Sequence, residues 1–208
     1  MKKGIKEDFL DFNKISYPVL IRMKKKMKVH EEHKQKAPNE INFALIVVST
    51  SRYKEIKSGE PSSDKTIPMV EKVLKKEANI SLVFKKIISD SEEHINITLT
   101  KLMKDDVVDS IIFSGGSGLS PKDITYETIE PRLEKVFSGF GEIFRTLSYN
   151  EIGSSAMLSR AVAGILKIKN KNKAVFLLPG SPNAVRLALN ALIIPEIGHI
   201  IYMINKKE

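Results

Sequence analysis

From residue 43 onward the chain alternates short runs of β-branched and apolar residues with longer amphipathic runs. This alternation limits the folds open to the chain more than any other feature does. Strands that are apolar at nearly every position are typical of a parallel sheet buried on both faces, and the intervening runs supply the helices that cover it. The sequence therefore predicts an α/β fold with a mostly parallel sheet covered by helices on both faces.

The predicted elements place several loops at one edge of that sheet. Strands are predicted at residues 43–48, 82–88, 110–113, 164–168 and 174–178. Helices are predicted at about residues 65–76, 92–103, 124–136, 141–147 and 182–192, with Pro195 ending the last one. Because ligands of open α/β sheets gather at the carboxyl ends of the strands, we expect residues 49–50, 89–90, 114–118 and 179–182 to share one rim.

A glycine-rich turn, Ser114-Gly115-Gly116-Ser117-Gly118, follows the third predicted strand. Free backbone N–H groups in such a turn, just before a helix, can hold an anion, and the two serine hydroxyls add donors. The alternative is that the glycines serve only a backbone that needs positive φ. No G-x-x-x-x-G-K-[ST] occurs and no G-x-G-x-x-G follows a strand, so Walker-type and dinucleotide-binding interpretations lose their main support.

Two aspartates are the candidates for chemistry at this rim. Asp90 follows the second predicted strand, and Asp123 follows the glycine-rich turn with Thr125 close behind. On neighbouring loops the two carboxylates would hold Mg²⁺ between the phosphates of a nucleotide. The alternative for each aspartate, and for Asp64, is a helix N-cap.

Two further segments carry groups suited to phosphate. Arg160 lies among serines that include Ser159, and its guanidinium suits a bidentate phosphate contact or an electron-rich heterocycle. In Pro179-Gly180-Ser181-Pro182, Ser181 can cap the next helix and can also donate to an anion at its N-terminus. A plain connecting loop and a plain cap are the alternative interpretations.

Length and composition limit the other possibilities. A chain of 208 residues with 42% hydrophobic content suits one domain and an extension. We place the domain at residues 41–208 and the extension, which is basic, at residues 1–40. The absence of cysteine excludes disulfides, thiolate metal sites and cysteine nucleophiles. His30-Glu31-Glu32-His33 misses the zinc-protease spacing and no G-x-S-x-G occurs, which argues against metal-hydrolase and serine-hydrolase chemistry.

The distribution of charged and apolar residues limits the binding partners and the cellular location that we expect for this protein. More than half of the net charge of +9 falls in residues 1–40, and no basic strand interleaved with aromatics occurs, which argues against a nucleic-acid partner. No continuous apolar run approaches the ~20 residues of a membrane span, and the N-terminus lacks a signal-peptide pattern. We therefore expect a cytoplasmic protein with no membrane partner. Because the predicted fold begins only at residue 43, Met23 or Met27 is an alternative translation start.

Several motifs together resemble the MoaB/MogA family of molybdenum cofactor biosynthesis proteins, in its archaeal MoaB branch. They are the glycine-rich turn, Lys122-Asp123-Ile124-Thr125, Ser159-Arg160-Ala161-Val162-Ala163-Gly164, Leu178-Pro179-Gly180-Ser181-Pro182-Asn183-Ala184, His30-Glu31-Glu32-His33-Lys34 and Ala37-Pro38. The resemblance covers about residues 28–205. It implies a three-layer α/β/α domain of the molybdopterin-binding type that assembles as a homotrimer or a homohexamer.

The same resemblance implies a molybdopterin adenylyltransferase that uses ATP and Mg²⁺ and hands its product to a metal-insertion protein. It implies that Asp90 and Asp123 are the catalytic and magnesium-binding residues. The nucleotide and its phosphates would be held by Ser114, Gly115, Gly116, Ser117, Gly118 and Thr125. The pterin and its phosphate would be held by Ser159, Arg160, Pro179, Gly180, Ser181 and Pro182.

The chain also departs from the family pattern. Serine replaces threonine at positions 114 and 117, Thr50 stands where the family commonly has an acidic residue, and Lys65-Thr66 follows Asp64 in place of Ser-Gly. These departures keep open the alternative of a non-catalytic molybdopterin-binding or scaffold protein of the same family. The sequence does not separate a molybdenum pathway from a tungsten pathway.

Overall fold

A mixed six-stranded sheet is the centre of the fold in the computed structural model, which describes residues 36–169 and 171–206. The strands are β1 (Ile41–Val48), β2 (Ile80–Ile88), β3 (Ser110–Ser114), β4 (Lys135–Val136), β5 (Val162–Ile168) and β6 (Lys171–Leu178), in the spatial order β2-β1-β3-β6-β5-β4. Neighbours among β2, β1, β3 and β6 are parallel, and β5 is antiparallel to both β6 and β4. The prediction of a mostly parallel sheet is confirmed.

Helices cover both faces of this sheet. On one face lie α1 (Thr50–Lys57), α2 (Thr66–Leu74), α5 (Ser138–Ile152), α6 (Pro182–Ala188) and α7 (Ile194–Asn205). The other face is covered by α3 (Glu92–Lys104) and α4 (Thr125–Ile129). The three-layer α/β/α arrangement is thus confirmed.

Strand β1 shows why the sheet needs two covering layers. Its odd-numbered residues, such as Phe43 and Leu45, pack into the core beneath α2 and α7. Its even-numbered residues, such as Ala44 and Ile46, pack into the core beneath α3. Side chains of a strand alternate between faces, so a strand that is apolar at both kinds of position must be buried on both sides.

Between β1 and β5 one predicted helix is shorter than expected and one helix was not predicted. The predicted helix at residues 124–136 ends at Ile129, continues as a short 3₁₀ turn, Glu130–Arg132, and then becomes β4. Pro131 has no N–H with which to continue the helical ladder. Helix α1 was not predicted, because none of its residues is buried and its sequence carries no apolar stripe.

The chain stays helical past Pro195, contrary to prediction. A π-helical turn, Leu189–Ile193, joins α6 to α7 and puts Pro195 in the first turn of α7, where a missing N–H costs little. The combined run, Pro182–Asn205, is long and apolar enough to cross a membrane by length and composition alone. The prediction for membrane spans considered only unbroken runs of apolar residues, none of which approaches the ~20 residues of a membrane span. Val185, Leu189 and Ile197 pack into the core, which accounts for the apolar composition.

The described residues from Ala37 onward belong to one compact unit. The division into residues 1–40 and 41–208 stays a prediction. The alternative start at Met23 or Met27 and the motif at residues 30–34 lie outside the described residues.

Candidate active site

A cavity of about 970 Å³ opens at the carboxyl ends of β1, β2, β3 and β6, where the four loops were expected to meet. The predicted site residues that line it are Asp90, Gly115, Gly116, Ser117, Gly118, Asp123, Ser159, Arg160, Pro179, Gly180 and Ser181. Ser114, Thr125 and Pro182 do not line it. Ser114 and Thr125 lie fully buried behind the wall.

The glycine-rich turn needs glycine and also leaves amides free. Gly115 and Gly116 have φ of +104° and +63°, and a Cβ on Gly115 would lie 2.2 Å from the Val48 carbonyl oxygen. Within the described residues, the amides of Gly116, Ser117 and Gly118 donate no hydrogen bond. The need for glycine in the backbone is therefore confirmed, and the free amides are compatible with anion binding, which stays a prediction.

The two serine hydroxyls of the turn point away from a ligand. The Ser114 hydroxyl donates to the Pro179 carbonyl at 3.2 Å, and that of Ser117 donates to the Leu178 carbonyl at 3.3 Å. Both side chains are almost completely buried. They tie the turn to the end of β6, so the donors that the turn offers to the cavity are its backbone N–H groups.

Asp90 is not a helix cap. Ser91 caps α3 instead, since its hydroxyl accepts from the His94 amide at 3.3 Å. The Asp90 backbone N–H donates to the Thr50 hydroxyl at 3.2 Å, which fixes the loop against the start of α1. Burial raises the pKa of the Asp90 carboxyl, the Ile124 amide acts against this, and the Asp123 charge adds to the increase.

Beside Gly116, two buried oxygens lie without partners. Neither Oδ1 of Asp90 nor Oγ1 of Thr125 makes a hydrogen bond within the described part of the chain. A Cβ on Gly116 would lie 2.8 Å from the first and 2.3 Å from the second. Buried polar atoms are nearly always paired in native proteins, so the unpaired oxygen of Asp90, a residue that lines the cavity, is a candidate for contact with a polar ligand.

Asp123 does not cap a helix either. Its Oδ2 accepts from the Ser120 amide at 3.1 Å inside the loop, and its carboxylate lies against Gly118. No cluster of three or more His, Cys, Asp or Glu side chains with metal-binding geometry occurs within residues 36–169 and 171–206. Two carboxylates beside a turn with free backbone amides still suit Mg²⁺, which takes one or two carboxylates and completes its shell with water and substrate phosphates.

The Arg160 side chain makes hydrogen bonds to the glycine-rich turn. Its Nε donates to the Ser117 carbonyl at 3.0 Å and its Nη2 to the Gly118 carbonyl at 2.6 Å. Both Nη atoms also donate to the Glu127 carboxylate, and the guanidinium lies 4.8 Å from the centre of the Tyr126 ring. In this conformation Arg160 orders the turn and uses four of its five N–H groups, so a bidentate phosphate contact would require it to release at least one of these partners.

The cap interpretation holds for two other predicted residues. The Ser181 hydroxyl accepts from the Ala184 amide at 3.1 Å and caps α6. The Asp64 carboxylate accepts from the Thr66 and Ile67 amides at 3.2 and 2.8 Å at the start of α2.

Other residues that line the cavity were not selected as site residues by sequence reasoning, and they include Thr50, Arg52 and Lys122. Arg52 and Thr50 lie in the first turn of α1, the helix that was not predicted. Their position directly after the first strand was the available signal.

Comparison with known proteins agrees with this arrangement. Residues 44–199 match the family described as a probable molybdopterin binding domain. The chain belongs to the MoaB/MogA family of molybdenum cofactor biosynthesis proteins. The resemblance predicted from the motifs is confirmed.

Relatives of this MoaB/MogA family member include bacterial and archaeal proteins. The molybdenum cofactor biosynthesis protein B of Bacillus cereus is 38% identical over 177 residues, which are 85% of this chain and 98% of that protein. The probable molybdopterin adenylyltransferase of Methanocaldococcus jannaschii is 42% identical over 161 residues, 77% of this chain and 92% of that protein. The solved structure of the tungsten cofactor synthesizing protein MoaB from Pyrococcus furiosus matches with a TM-score of 0.70 at 36% identity, covering 82% of this chain and all of that one.

Proposed function

We propose that this protein adenylylates molybdopterin with ATP and Mg²⁺. The observation that carries the proposal is the pair Asp90 and Asp123, which lie at the same cavity and cap no helix. One Asp90 oxygen is buried with no partner in the described residues. Such a carboxylate is costly to the fold unless a ligand uses it.

The reaction is a nucleotidyl transfer. An oxygen of the molybdopterin phosphate forms a bond to the α-phosphorus of ATP, the bond from that phosphorus to the bridging oxygen of the β-phosphate breaks, and pyrophosphate leaves. Such a transfer needs positioned substrates and neutralised charge more than a protein nucleophile. The free amides of Gly116, Ser117 and Gly118 would hold phosphate oxygens in place.

Asp90 and Asp123 would hold Mg²⁺, with the Thr125 hydroxyl close to the Asp90 oxygen across Gly116. When bound, the ion neutralises charge on the phosphates. Burial raises the pKa of the half-buried Asp90 carboxyl, and the group would hold the ion in its deprotonated form.

The pterin would lie along Ser159 and the turn from Pro179 to Ser181, which line the cavity next to the glycine-rich turn. Phe144, Ile152 and Leu158 give the cavity an apolar wall that suits an organic ring system. Since Arg160 already orders the glycine-rich turn, we assign the pterin phosphate to the backbone and hydroxyl donors of these segments first.

The relatives support the biosynthetic role more broadly than the specific reaction. The Methanocaldococcus jannaschii protein is named a probable molybdopterin adenylyltransferase, and the Bacillus cereus protein is named only for cofactor biosynthesis. Thr50 replaces the acidic residue common in the family, yet its hydroxyl holds the Asp90 loop. This contact favours a catalytic protein over the alternative of a non-catalytic binder.

We also propose that the protein forms a closed homo-oligomer, acts in the cytoplasm and passes its product to a metal-insertion protein. Large apolar side chains that are more than half exposed follow one another along α5 and the 3₁₀ turn after it, namely Ile143, Tyr149, Ile152, Met157 and Leu158. Exposed apolar surface of this kind favours association.

Product formation tests the proposed function. The protein is incubated with molybdopterin and ATP, with Mg²⁺ or with excess EDTA, and adenylylated molybdopterin and pyrophosphate are measured by mass spectrometry and a coupled assay. We expect both products in equal amounts, only with Mg²⁺. Binding of molybdopterin with neither product would instead establish the non-catalytic alternative.

A further inference from the structure

Three cationic side chains line the cavity, and they differ in how many of their donors are available. They are Arg52, Lys122 and Arg160. A nucleoside triphosphate brings several negative charges into a site that already holds two carboxylates, so at least one cation must be free to meet the phosphates. The hydrogen bonds and the exposure of the three side chains show which cation that is.

Arg160 is committed. Its Nε and Nη2 donate to the carbonyls of Ser117 and Gly118, and its Nη atoms donate to Glu127. These contacts order the glycine-rich turn and use four of the five N–H groups of Arg160. A bidentate phosphate contact would displace at least one of them and weaken the turn.

Arg52 is available. It forms an ion pair with Asp64, Nη1 to Oδ1 at 3.4 Å, and makes no hydrogen bond within the described residues. The Asp64 side chain is only 4% exposed, and its carboxylate also accepts the amides of Thr66 and Ile67. These two hydrogen bonds remain when the planar fork of Arg52 rotates to a new anion, although the ion pair is then lost.

The surroundings of Arg52 favour it over Lys122. The Arg52 side chain is only 23% exposed, whereas Lys122 is an exposed residue. A partly buried guanidinium offers two parallel donors and is less weakened by solvent than an exposed ammonium. The start of α1, where Arg52 lies, also lines the cavity with Ser49, Thr50 and Ser51.

We propose that Arg52 binds the β- and γ-phosphates of the nucleotide and the pyrophosphate that leaves. This inference rests on the proposed function for the identity of the nucleotide. The chemical class recognised is a polyphosphate, and the contact lies at the α1 end of the cavity. Arg52 exchanges a loose ion pair with Asp64 for a bidentate contact with phosphate.

Equilibrium binding of three probes tests the proposal on the full chain: ATP, AMP and inorganic pyrophosphate, each with Mg²⁺, by isothermal titration calorimetry. We expect Arg52→Gln to weaken ATP and pyrophosphate by about 10- to 100-fold, the effect of one charged hydrogen-bonded pair, and to leave AMP within about twofold. Arg52→Lys should lie between Arg52→Gln and wild type. Lys54→Gln, the same charge change on an exposed residue of α1 outside the cavity, should behave as wild type.

Each outcome bears on one of the two proposals. Unchanged pyrophosphate binding in Arg52→Gln, or equal losses for ATP and AMP, overturns the role of Arg52. Pyrophosphate binding that depends on Arg52 in a protein that forms no adenylylated product supports Arg52 and contradicts the proposed function. A wild-type chain that binds neither ATP nor pyrophosphate overturns both.

Discussion

At the scale of single residues, Asp90 shows that a side chain suited to function can lower the stability of the fold. Its Oδ1 is buried without a partner in the described part of the chain, and burial raises the pKa of its carboxyl. A buried acceptor left unpaired costs about 1–3 kcal/mol of folding free energy. The fold tolerates this cost at the place where a substrate would supply the missing partner.

Asp90→Asn is predicted to stabilise the protein without its substrates. The amide removes a poorly solvated charge and can donate to the unpaired Thr125 hydroxyl beside it. We expect about 1 kcal/mol of added stability, or about 2–4 °C in Tm for a chain of this size, by thermal unfolding at pH 7. Asp123→Asn, which keeps an oxygen acceptor for the Ser120 amide but makes that hydrogen bond neutral, is the comparison and should not stabilise. A lower Tm for Asp90→Asn would show that the carboxylate is a structural group.

The raised pKa of Asp90 predicts a pH dependence with a definite sign. Because the folded-state pKa lies above the ordinary 3.8, the folded state holds this proton more tightly than the unfolded state does. The contribution of Asp90 to stability therefore falls as pH rises from about 3.8 through the raised pKa. NMR titration of the labelled carboxyl should give a pKa above 3.8, and a lower one in Asp123→Asn, since that change removes a like charge. A pKa at or below 3.8 in the wild type would contradict this account.

Several site residues could be named from the sequence because each follows a strand in a recognisable pattern. Asp90 and Asp123 are of this kind. Arg52 was missed because sequence shows an arginine but not whether its donors are used. Arg160 was selected because the sequence does not show that the turn takes its donors, which only the structure reveals.

At the scale of elements, helix α3 determines where Asp90 lies. Ser91 caps the helix, and the Ser89 hydroxyl lies 2.7 Å from Nδ1 of His94 in its first turn. The loop is thus fixed on the helix side by these contacts and on the strand side by Thr50. The element, rather than Asp90 alone, sets the position of the carboxylate.

Ser91→Ala is predicted to act on both stability and turnover. Loss of an N-cap hydroxyl costs about 1 kcal/mol, and the freed loop should lower kcat more than it changes the KM for ATP. Ser91→Thr keeps the hydroxyl and should restore both properties. The checks are urea unfolding and steady-state kinetics of the three proteins. An unchanged kcat in Ser91→Ala at lowered stability would show that the cap does not position Asp90.

Burial explains which elements the sequence could predict. Strands β1 and β3 are buried on both faces, and helices α2 and α3 each carry an apolar stripe, so their patterns are strong. Strand β4 has two exposed residues and α1 has no buried one, so neither leaves a pattern. Pro195 was misread because a π-helical turn, set by packing, is not visible in the sequence.

At the scale of the whole molecule, the exposed apolar residues of α5 predict association into a closed oligomer. A chain of 23.4 kDa gives about 70 kDa as a trimer and about 140 kDa as a hexamer. Light scattering coupled to gel filtration should give one of these two masses. Ile143→Glu, on the exposed part of α5, should shift the mass toward the monomer. A wild-type protein that elutes at 23.4 kDa would contradict the proposed assembly.

The central claim is that the paired carboxylates at the glycine-rich turn perform adenylyl transfer. The measurement that tests it most directly is the single-turnover rate of molybdopterin adenylylation with Mg²⁺ and ATP in the wild type and in Asp123→Asn. We predict a decrease of at least about 100-fold in the variant, the usual cost of losing one preorganised charged group, with molybdopterin binding retained. An equal rate in the two proteins would contradict the account.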